Sequence, residues 1–145
     1  MKITLTEYFA GKPHTQQDED AATELLAHVN GLCAEASACG AFHERIDVDT
    51  GTSISGSRGG SGDGGFRLAS ATTGKPKSAH KEARAVDKYD PLDELDRWLD
   101  VFETGAGGNS KLEMYDLYRE APEATPGWCH LSTRRPASGR RTFYP

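Results

Sequence analysis

The sequence predicts an α+β domain in which a small, mostly antiparallel sheet is flanked by helices. Two segments repeat apolar residues with the period of a helix, and several shorter segments have the alternation or the composition of strands. The chain has 145 residues, of which 36% are hydrophobic and 16 are glycine. This length fits a single domain, residues 1–145, and the glycine content predicts that much of it is loop.

The first predicted helix spans residues 16 to 38 and buries one apolar stripe. Thr15 followed by Asp18 resembles a capping box, and Gly40 is a suitable stop signal. The i, i+3, i+4 spacing of the stripe is typical of an amphipathic helix. The stripe consists of Ala22, Leu25, Leu26, Val29, Leu32, Cys33 and Ala36.

The segment after this helix predicts little regular structure. A short strand is expected from Thr52 to Ser55, and the glycine-rich stretch 59–77 predicts a long mobile loop. Long loops inside small domains often serve a function, and a tolerated surface insertion is the alternative.

A second strand and a second helix follow. "ARAVD", residues 83–87, alternates as a strand does. Asp90 as N-cap and Pro91 at the first helical position predict a helix over residues 91–103. Its apolar stripe consists of Leu92, Leu95, Trp98, Leu99 and Phe102.

The last third of the chain predicts three further strands. Residues 111–120 predict a short helix that turns into a strand around Leu117 to Arg119, and "TFY" near the end predicts a final strand. "GWCHLST" predicts a strand whose two faces differ. Trp128, His130 and Ser132 lie on one face, and Cys129 and Leu131 on the other.

Charge and cysteine content limit the classes of function. A net charge of −5 argues against nucleic acid as the main partner, because phosphate binding requires basic surface. Three cysteines at irregular spacing form neither a disulfide framework nor a C-x-x-C zinc knuckle, which predicts a reduced cytosolic place of synthesis. The sequence shows no signal-peptide pattern and no membrane-spanning run.

His80, Asp87 and His130 are candidate metal ligands. On a helix, His80 and Asp87 would lie roughly 10 Å apart along the axis, too far to share one ion. They can meet only if the chain bends after His80 and returns as the strand that holds Asp87. His130 is the best candidate for a third ligand, and three protein ligands with an open fourth position are typical of catalytic zinc. From spacing alone, a solvated loop beside a strand is the alternative.

An ordered set of motifs resembles the zinc D-Ala-D-Ala metallopeptidase family, which has the hedgehog/DD-peptidase fold. The motifs are "S-x-H-x-x-x-x-A-x-D" from Ser78 to Asp87, "W-x-H" at Trp128 and His130, and "S-G-x-R" ending at Arg58. The frame "LTEYFAGK", "VDKYDP", "TPGWCHL" and "RRPASGRRTFYP" also resembles a branch found in bacteriophages and prophages.

The resemblance implies a zinc-dependent peptidase that cleaves peptidoglycan stem peptides, of D,D-carboxypeptidase or endopeptidase type. It implies Zn²⁺ held by His80, Asp87 and His130, and a substrate site lined by Ser78 and Arg58. Arg58 would hold the carbonyl or the developing oxyanion. A phage lysis factor or virion component would reach the cell wall without an encoded signal.

Two positions depart from the family pattern. Ala83 replaces a glycine between the histidine and the aspartate, and Gly127 stands where many members carry an acidic general base. Glu123 and Glu120 are near in sequence and are candidates for this base. Glu123 is taken as the candidate catalytic residue, and a surface role is the alternative for both. A non-catalytic wall-binding or virion module of the same fold is therefore the second hypothesis for function.

Three further features have two interpretations each. Trp128 is predicted to stack on substrate or to pack in the core. Cys129 beside His130 suggests a nucleophile pair, but strand alternation places it on the opposite face and predicts a core residue. A cluster of arginines near the C-terminus predicts either an anion-binding surface or a solvated basic loop; it comprises Arg134, Arg135, Arg140 and Arg141.

Overall fold

The structure is a computed structural model and describes residues 2–56, 64–72, 77–103 and 110–145. The helices are α1 Leu5–Phe9, α2 Gln16–Ala38, α3 Glu94–Glu103 and α4 Lys111–Met114, with 3₁₀ turns at Ala79–Glu82 and Pro122–Ala124. The strands are β1 Ala85–Tyr89, β2 Tyr118–Glu120, β3 Trp128–Ser132 and β4 Thr142–Phe143. The predicted α+β class is confirmed for these residues.

The four strands form one sheet in the order β1-β3-β2-β4. β3 pairs antiparallel with β1 and with β2, whereas β4 pairs parallel with β2. The sheet is therefore mixed, with antiparallel pairing at its centre. The strands predicted near residues 117–119, 127–133 and 142–144 are all present within one or two residues of their predicted positions.

The long helix α2 has the predicted bounds. The Thr15 hydroxyl accepts a hydrogen bond from the Asp18 amide, and the Asp18 carboxylate accepts one from the Thr15 amide, which completes the capping box. Every residue of the predicted stripe is buried in the core. This agreement follows from strong local signals, because both the cap and the periodicity lie within the segment itself.

The short helix α1 was not predicted from the sequence. It begins with a second capping box, formed by Thr4 and Glu7, which was a usable signal in "TLTE". The Tyr8 hydroxyl donates a buried hydrogen bond of 2.8 Å to the Ala85 carbonyl, which ties α1 to the start of β1.

The predicted strand from Thr52 to Ser55 is wrong as a continuous strand. Thr52 and Ile54 make isolated bridges, to Asp47 and Lys88 respectively. The Ser55 amide still donates to the Asp87 carbonyl at 2.8 Å, so this segment runs along the outer edge of β1 without a regular ladder. Of the predicted loop 59–77, residues 64–72 and Lys77 are described and form turns and irregular structure, and the others lie outside the described residues.

The strand β1 and the helix α3 each begin further along the chain than predicted. β1 begins at Ala85 rather than at residue 83, because Ala83 has a left-handed backbone with φ of 57°. α3 begins at Glu94 rather than at residue 91. The prediction of Asp90 as N-cap and Pro91 as first helical residue is therefore wrong, although the two Asp90 carboxylate oxygens accept from the amides of Glu94 and Leu95 in the first turn.

A buried arginine joins the sheet to α3. The Arg119 guanidinium, 1% exposed, contacts the carboxylates of Asp96, Asp100 and Glu103, which lie along one side of that helix. Burial of a charge is tolerated when it is paired in this way. No helix in the described part of the chain has the length and apolar character needed to cross a membrane.

Candidate metal centre

His80, Asp87 and His130 come together at one point of the structure. One ligand atom from each lies within 4.8 Å of the others. Asp87 Oδ1 is 3.3 Å from His80 Nε2 and 2.9 Å from His130 Nδ1. The convergence of the three predicted ligands is therefore present, and it identifies a candidate metal centre.

Strand pairing places two of these residues. Asp87 on β1 and His130 on β3 are directly opposed in the antiparallel register. Side chains of directly opposed residues project from the same face of a sheet, with Cβ atoms roughly 5 Å apart. The β1–β3 pairing alone therefore brings the carboxylate to the imidazole.

A sharp bend places the third residue. His80 lies in the 3₁₀ turn Ala79–Glu82, and the left-handed Ala83 ends that turn before the chain returns as β1. Ser78 caps the turn by accepting a hydrogen bond from the His80 amide. The bend that the spacing of His80 and Asp87 requires is thus present, with alanine in a conformation that favours glycine.

The surroundings of His80 fix which of its nitrogens faces the site. His80 Nδ1 lies 2.8 Å from the Gly65 carbonyl oxygen, which can only accept, so Nδ1 carries the proton and donates. Burial lowers the pKa of His80, which favours the neutral ring. Nε2 faces the Asp87 carboxylate at 3.3 Å, where it can bind a metal ion or, when the ring is protonated, donate a hydrogen bond to that carboxylate.

The Asp87 carboxyl is ionised in this environment. Burial acts to raise its pKa, but the electrostatic effect of His80 and hydrogen bonds from His130 and His80 outweigh burial and hold the pKa below its usual range. An Arg67 guanidinium nitrogen lies 3.7 Å from Asp87 Oδ2, on the side away from the histidines. A buried carboxylate and two imidazoles are a donor set that fits a divalent transition metal.

The three residues lie at one side of a pocket of about 380 Å³. Ser78 and Trp128, both predicted to contact substrate, line the same pocket, and Trp128 is half-buried there. The pocket is also lined by residues that were not chosen as site residues from the sequence, among them Arg67, Glu120, Arg134 and Phe143.

The two predicted catalytic residues have different outcomes. Arg58 lies outside the described residues. Glu123 is exposed on the 3₁₀ turn Pro122–Ala124 and is not among the residues that line the pocket. Glu120, the other acid near this position in the sequence, lines the pocket with a carboxylate oxygen 3.9 Å from His130 Nδ1.

Gly127, which stands at the position of the expected base, has φ of 93° and donates its amide to the Asp93 carboxylate at 3.1 Å.

Burial and contacts decide between the two interpretations given above for Cys129 and for two of the C-terminal arginines, Arg134 and Arg141. Cys129 is 1% exposed and belongs to the hydrophobic core, as strand alternation predicted. Arg134 hydrogen-bonds the Lys77 carbonyl and the Glu82 carboxylate, both at 2.8 Å, at the rim of the pocket. Arg141 pairs with Asp116 at 3.0 Å. These two arginines are held by partners within the chain rather than standing free in a basic loop.

A second acidic group consists of Asp90, Asp93 and Asp96. Asp90 accepts from an amide in the first turn of α3, Asp93 accepts from the Gly127 amide, and Asp96 pairs with Arg119 at 2.9 Å. These contacts hold the start of α3, while Asp96 Oδ2 is buried without a hydrogen-bond partner among the described residues.

Comparisons with family models, with curated proteins and with solved structures each found no match. The chain is therefore defined by its own features, as an α+β protein with a candidate His/Asp/His metal centre at the side of a pocket.

Proposed function

We propose that this protein is a zinc-dependent peptidase that cleaves peptidoglycan stem peptides, with a hedgehog/DD-peptidase-like fold. The observation that carries the proposal is the convergence of His80, Asp87 and His130 at a pocket. The order of the motifs along the chain, which resembles the zinc D-Ala-D-Ala metallopeptidases, supports it.

The donor set supports zinc. Imidazole nitrogen and carboxylate oxygen are common zinc ligands, and three protein ligands are typical of catalytic rather than structural sites. His80 would bind through Nε2, and His130 through Nδ1, the nitrogen that faces Asp87. Zinc bound there would lower the pKa of a water molecule and polarise a carbonyl group.

The pocket supports a peptide as substrate. Trp128 and Phe143 provide aromatic surface, and Ser78 and Arg134 provide polar groups at its wall and rim. Pockets that bind small molecules combine a largely apolar lining with a few placed polar groups. The resemblance directs the choice among peptides toward a stem peptide, cut next to a D-amino acid, as either a D,D-carboxypeptidase or an endopeptidase would do. It also supports a phage or prophage origin, with action on the wall during lysis or from the virion.

A non-catalytic metal-containing module of the same fold is the second candidate function. Gly127 favours it, because no carboxylate stands at the position where the family carries its base. Such a module would bind zinc and cell wall or a virion partner without turnover. Metal binding is common to both candidates, so only turnover separates them.

The test compares the wild type with His80→Ala and with His43→Ala, a histidine whose side chain is 65% exposed beside Glu94 and away from the pocket. Each protein is stripped with a chelator, reloaded with zinc and incubated with purified peptidoglycan and with a synthetic stem pentapeptide. We expect cleavage by the wild type and by His43→Ala, loss of cleavage on chelation, recovery with zinc, and none from His80→Ala.

Zinc binding by the wild type without cleavage of either substrate would favour the non-catalytic module. Cleavage by the stripped protein, or by His80→Ala, would contradict the proposed zinc peptidase.

A further inference from the structure

We propose that Glu120 is the catalytic carboxylate of this site and accepts the proton of the attacking water. The inference rests on the proposed peptidase function and supplies the base that is missing at Gly127. In this step a water proton moves to Glu120 while the water oxygen forms a bond to the peptide carbonyl carbon and the π electron pair of the C=O bond moves onto the carbonyl oxygen. That pair then re-forms the C=O bond as the C–N bond breaks, and the proton passes from Glu120 to the leaving amine nitrogen.

The sheet places Glu120 in line with two of the metal ligands. The β2–β3 register pairs Tyr118 with Ser132 and Arg119 with Leu131. The next step of this antiparallel register sets Glu120 opposite His130, whose other neighbour across the sheet is Asp87. Because directly opposed residues on neighbouring strands project from the same face of a sheet, Glu120 shares a face with His130.

The same row continues into β4. Glu120 pairs with Phe143 in the parallel β2–β4 ladder, and the Phe143 ring lies 6.1 Å from the His130 ring. Asp87, His130, Glu120 and Phe143 therefore follow one line across all four strands, and all four line the pocket. The row runs from the ligand side of the pocket to an apolar wall, with Glu120 between the two.

The distances show that Glu120 lies close to one proposed ligand but is not a member of the ligand group. Its carboxylate oxygen is 3.9 Å from His130 Nδ1, yet it is outside the group whose ligand atoms all lie within 4.8 Å of one another. Glu120 therefore lies beside the candidate centre without belonging to its ligand group, where it can contact a water molecule held at that centre. Its side chain is 21% exposed, so a water molecule in the pocket has access to it.

Glu120 is also one of two residues with a side-chain carboxylate among the described residues that line the pocket. Among those lining residues, Asp87 is the other carboxylate, and it is engaged by both histidines and by Arg67. Carboxylates near the reacting water commonly serve as general bases and contribute about 10²- to 10⁴-fold to rate. A purely positioning role, in which Glu120 orients the His130 ring, would instead change metal affinity.

The experiment measures zinc affinity, stem-peptide affinity and kcat for wild type, Glu120→Gln, Glu120→Asp and Glu123→Gln. Glu113→Gln, an exposed glutamate on α4, is the matched control. Zinc affinity is measured by competition with a chromophoric chelator, and the ligand field by the visible spectrum of the Co²⁺-substituted proteins.

We expect Glu120→Gln to bind zinc and peptide within threefold of the wild type, to keep its Co²⁺ spectrum, and to lose about 10²- to 10⁴-fold in kcat. Glu120→Asp should recover part of that loss, because a carboxylate is restored at a shorter reach. Glu123→Gln and Glu113→Gln should behave as the wild type.

Three results would overturn the role of Glu120: a kcat of Glu120→Gln within threefold of the wild type, a loss of zinc affinity or a changed Co²⁺ spectrum in that variant, or a comparable loss in Glu123→Gln instead. A zinc-loaded wild type that cleaves no stem peptide would contradict the proposed function itself, which separates that failure from an error in the base alone.

Discussion

Asp87 and His130 stand directly opposite each other on adjacent antiparallel strands, with Asp87 Oδ1 2.9 Å from His130 Nδ1. The pair joins the edge strand β1 to its neighbour β3, so the backbone ladder between these two strands also sets the distance between two proposed ligands. His80 then reaches the same carboxylate from the bend before β1. Strand pairing therefore positions two of the three proposed ligands, and a turn positions the third.

Zinc should stabilise the folded protein through these residues. A ligand that binds only the native state adds about 2.7 kcal/mol when present at a hundredfold excess over its Kd. For a domain of this size that corresponds to a rise in Tm of roughly 5–10 °C. Thermal unfolding of chelator-treated protein, with and without added zinc, measures the rise. His130→Ala should show none, and an equal rise in that variant would place the ion elsewhere.

Gly65 should be essential to the orientation of His80. Its carbonyl accepts the hydrogen bond from His80 Nδ1, and a Cβ at this position would lie 2.5 Å from the Tyr8 carbonyl oxygen. Gly65→Ala must therefore displace the backbone, and we expect zinc affinity to fall about 10- to 100-fold, as for other disrupted partners of metal ligands. Calorimetric zinc titration measures this change.

The matched control for Gly65 is Gly31→Ala in α2. There the new Cβ would meet the side-chain ring of Tyr115 at 3.1 Å, and the helix itself gains about 1 kcal/mol from the change. Zinc affinity should stay at the wild-type value. If Gly65→Ala also bound zinc with wild-type affinity, the Gly65 carbonyl would not be needed to orient His80.

Ala83 combines a strained backbone with a buried methyl group. Its φ of 57° costs about 1 kcal/mol relative to glycine, while its methyl is fully buried and contributes about 0.8 kcal/mol. Ala83→Gly should therefore change the free energy of unfolding by less than about 1 kcal/mol. Ala83→Val adds volume to the core and a β-branched side chain at positive φ, and it should cost at least about 2 kcal/mol. Urea unfolding measures both, and a tolerated valine would contradict the left-handed bend.

Glu94 should make the stability depend on pH. Hydrogen bonds from Arg45, and more weakly from His43, lower the pKa of Glu94 to about 2. A lowered pKa means that the stabilisation is complete above the unfolded value of about 4.5 and is lost as pH falls toward 2. Because Arg45 is partly exposed and screened, we expect Glu94→Gln to cost about 1–2 kcal/mol at neutral pH.

The measurement is urea unfolding of wild type, Glu94→Gln and the exposed control Glu24→Gln between pH 7 and about 3. The difference between wild type and Glu94→Gln should shrink by more than half at the acid end, whereas Glu24→Gln should track the wild type throughout. If the difference in unfolding free energy between wild type and Glu94→Gln stayed constant with pH, the ion pair of Glu94 with Arg45 would not be its cause.

The parts of the structure that could be predicted have local causes. α2 was predicted to the residue because its capping box and apolar stripe lie within one segment. α3 was predicted to start three residues early, because Asp93 takes a left-handed conformation that no local pattern signals. The strand at residues 52–55 failed because its hydrogen bonds go to β1 in an irregular way, which depends on tertiary packing.

The candidate site also has a part that the sequence predicts and a part that depends on tertiary structure. The histidines and the aspartate could be selected by residue type and motif order, but their convergence depends on the β1–β3 register. Glu120 has no motif of its own, and its place beside His130 follows from the pairing of β2 with β3. Arg67 reaches Asp87 from an irregular segment that carries no signal in sequence.

The most direct test of the central claim is a crystal structure of the zinc-loaded protein with anomalous data at the zinc edge. The account predicts one ion bound by His80 Nε2, Asp87 and His130 Nδ1 at about 2.0–2.2 Å, with a non-protein ligand in the fourth position facing Glu120. An ion bound elsewhere, or one that takes Glu120 as a fourth protein ligand and leaves no open position, would contradict it.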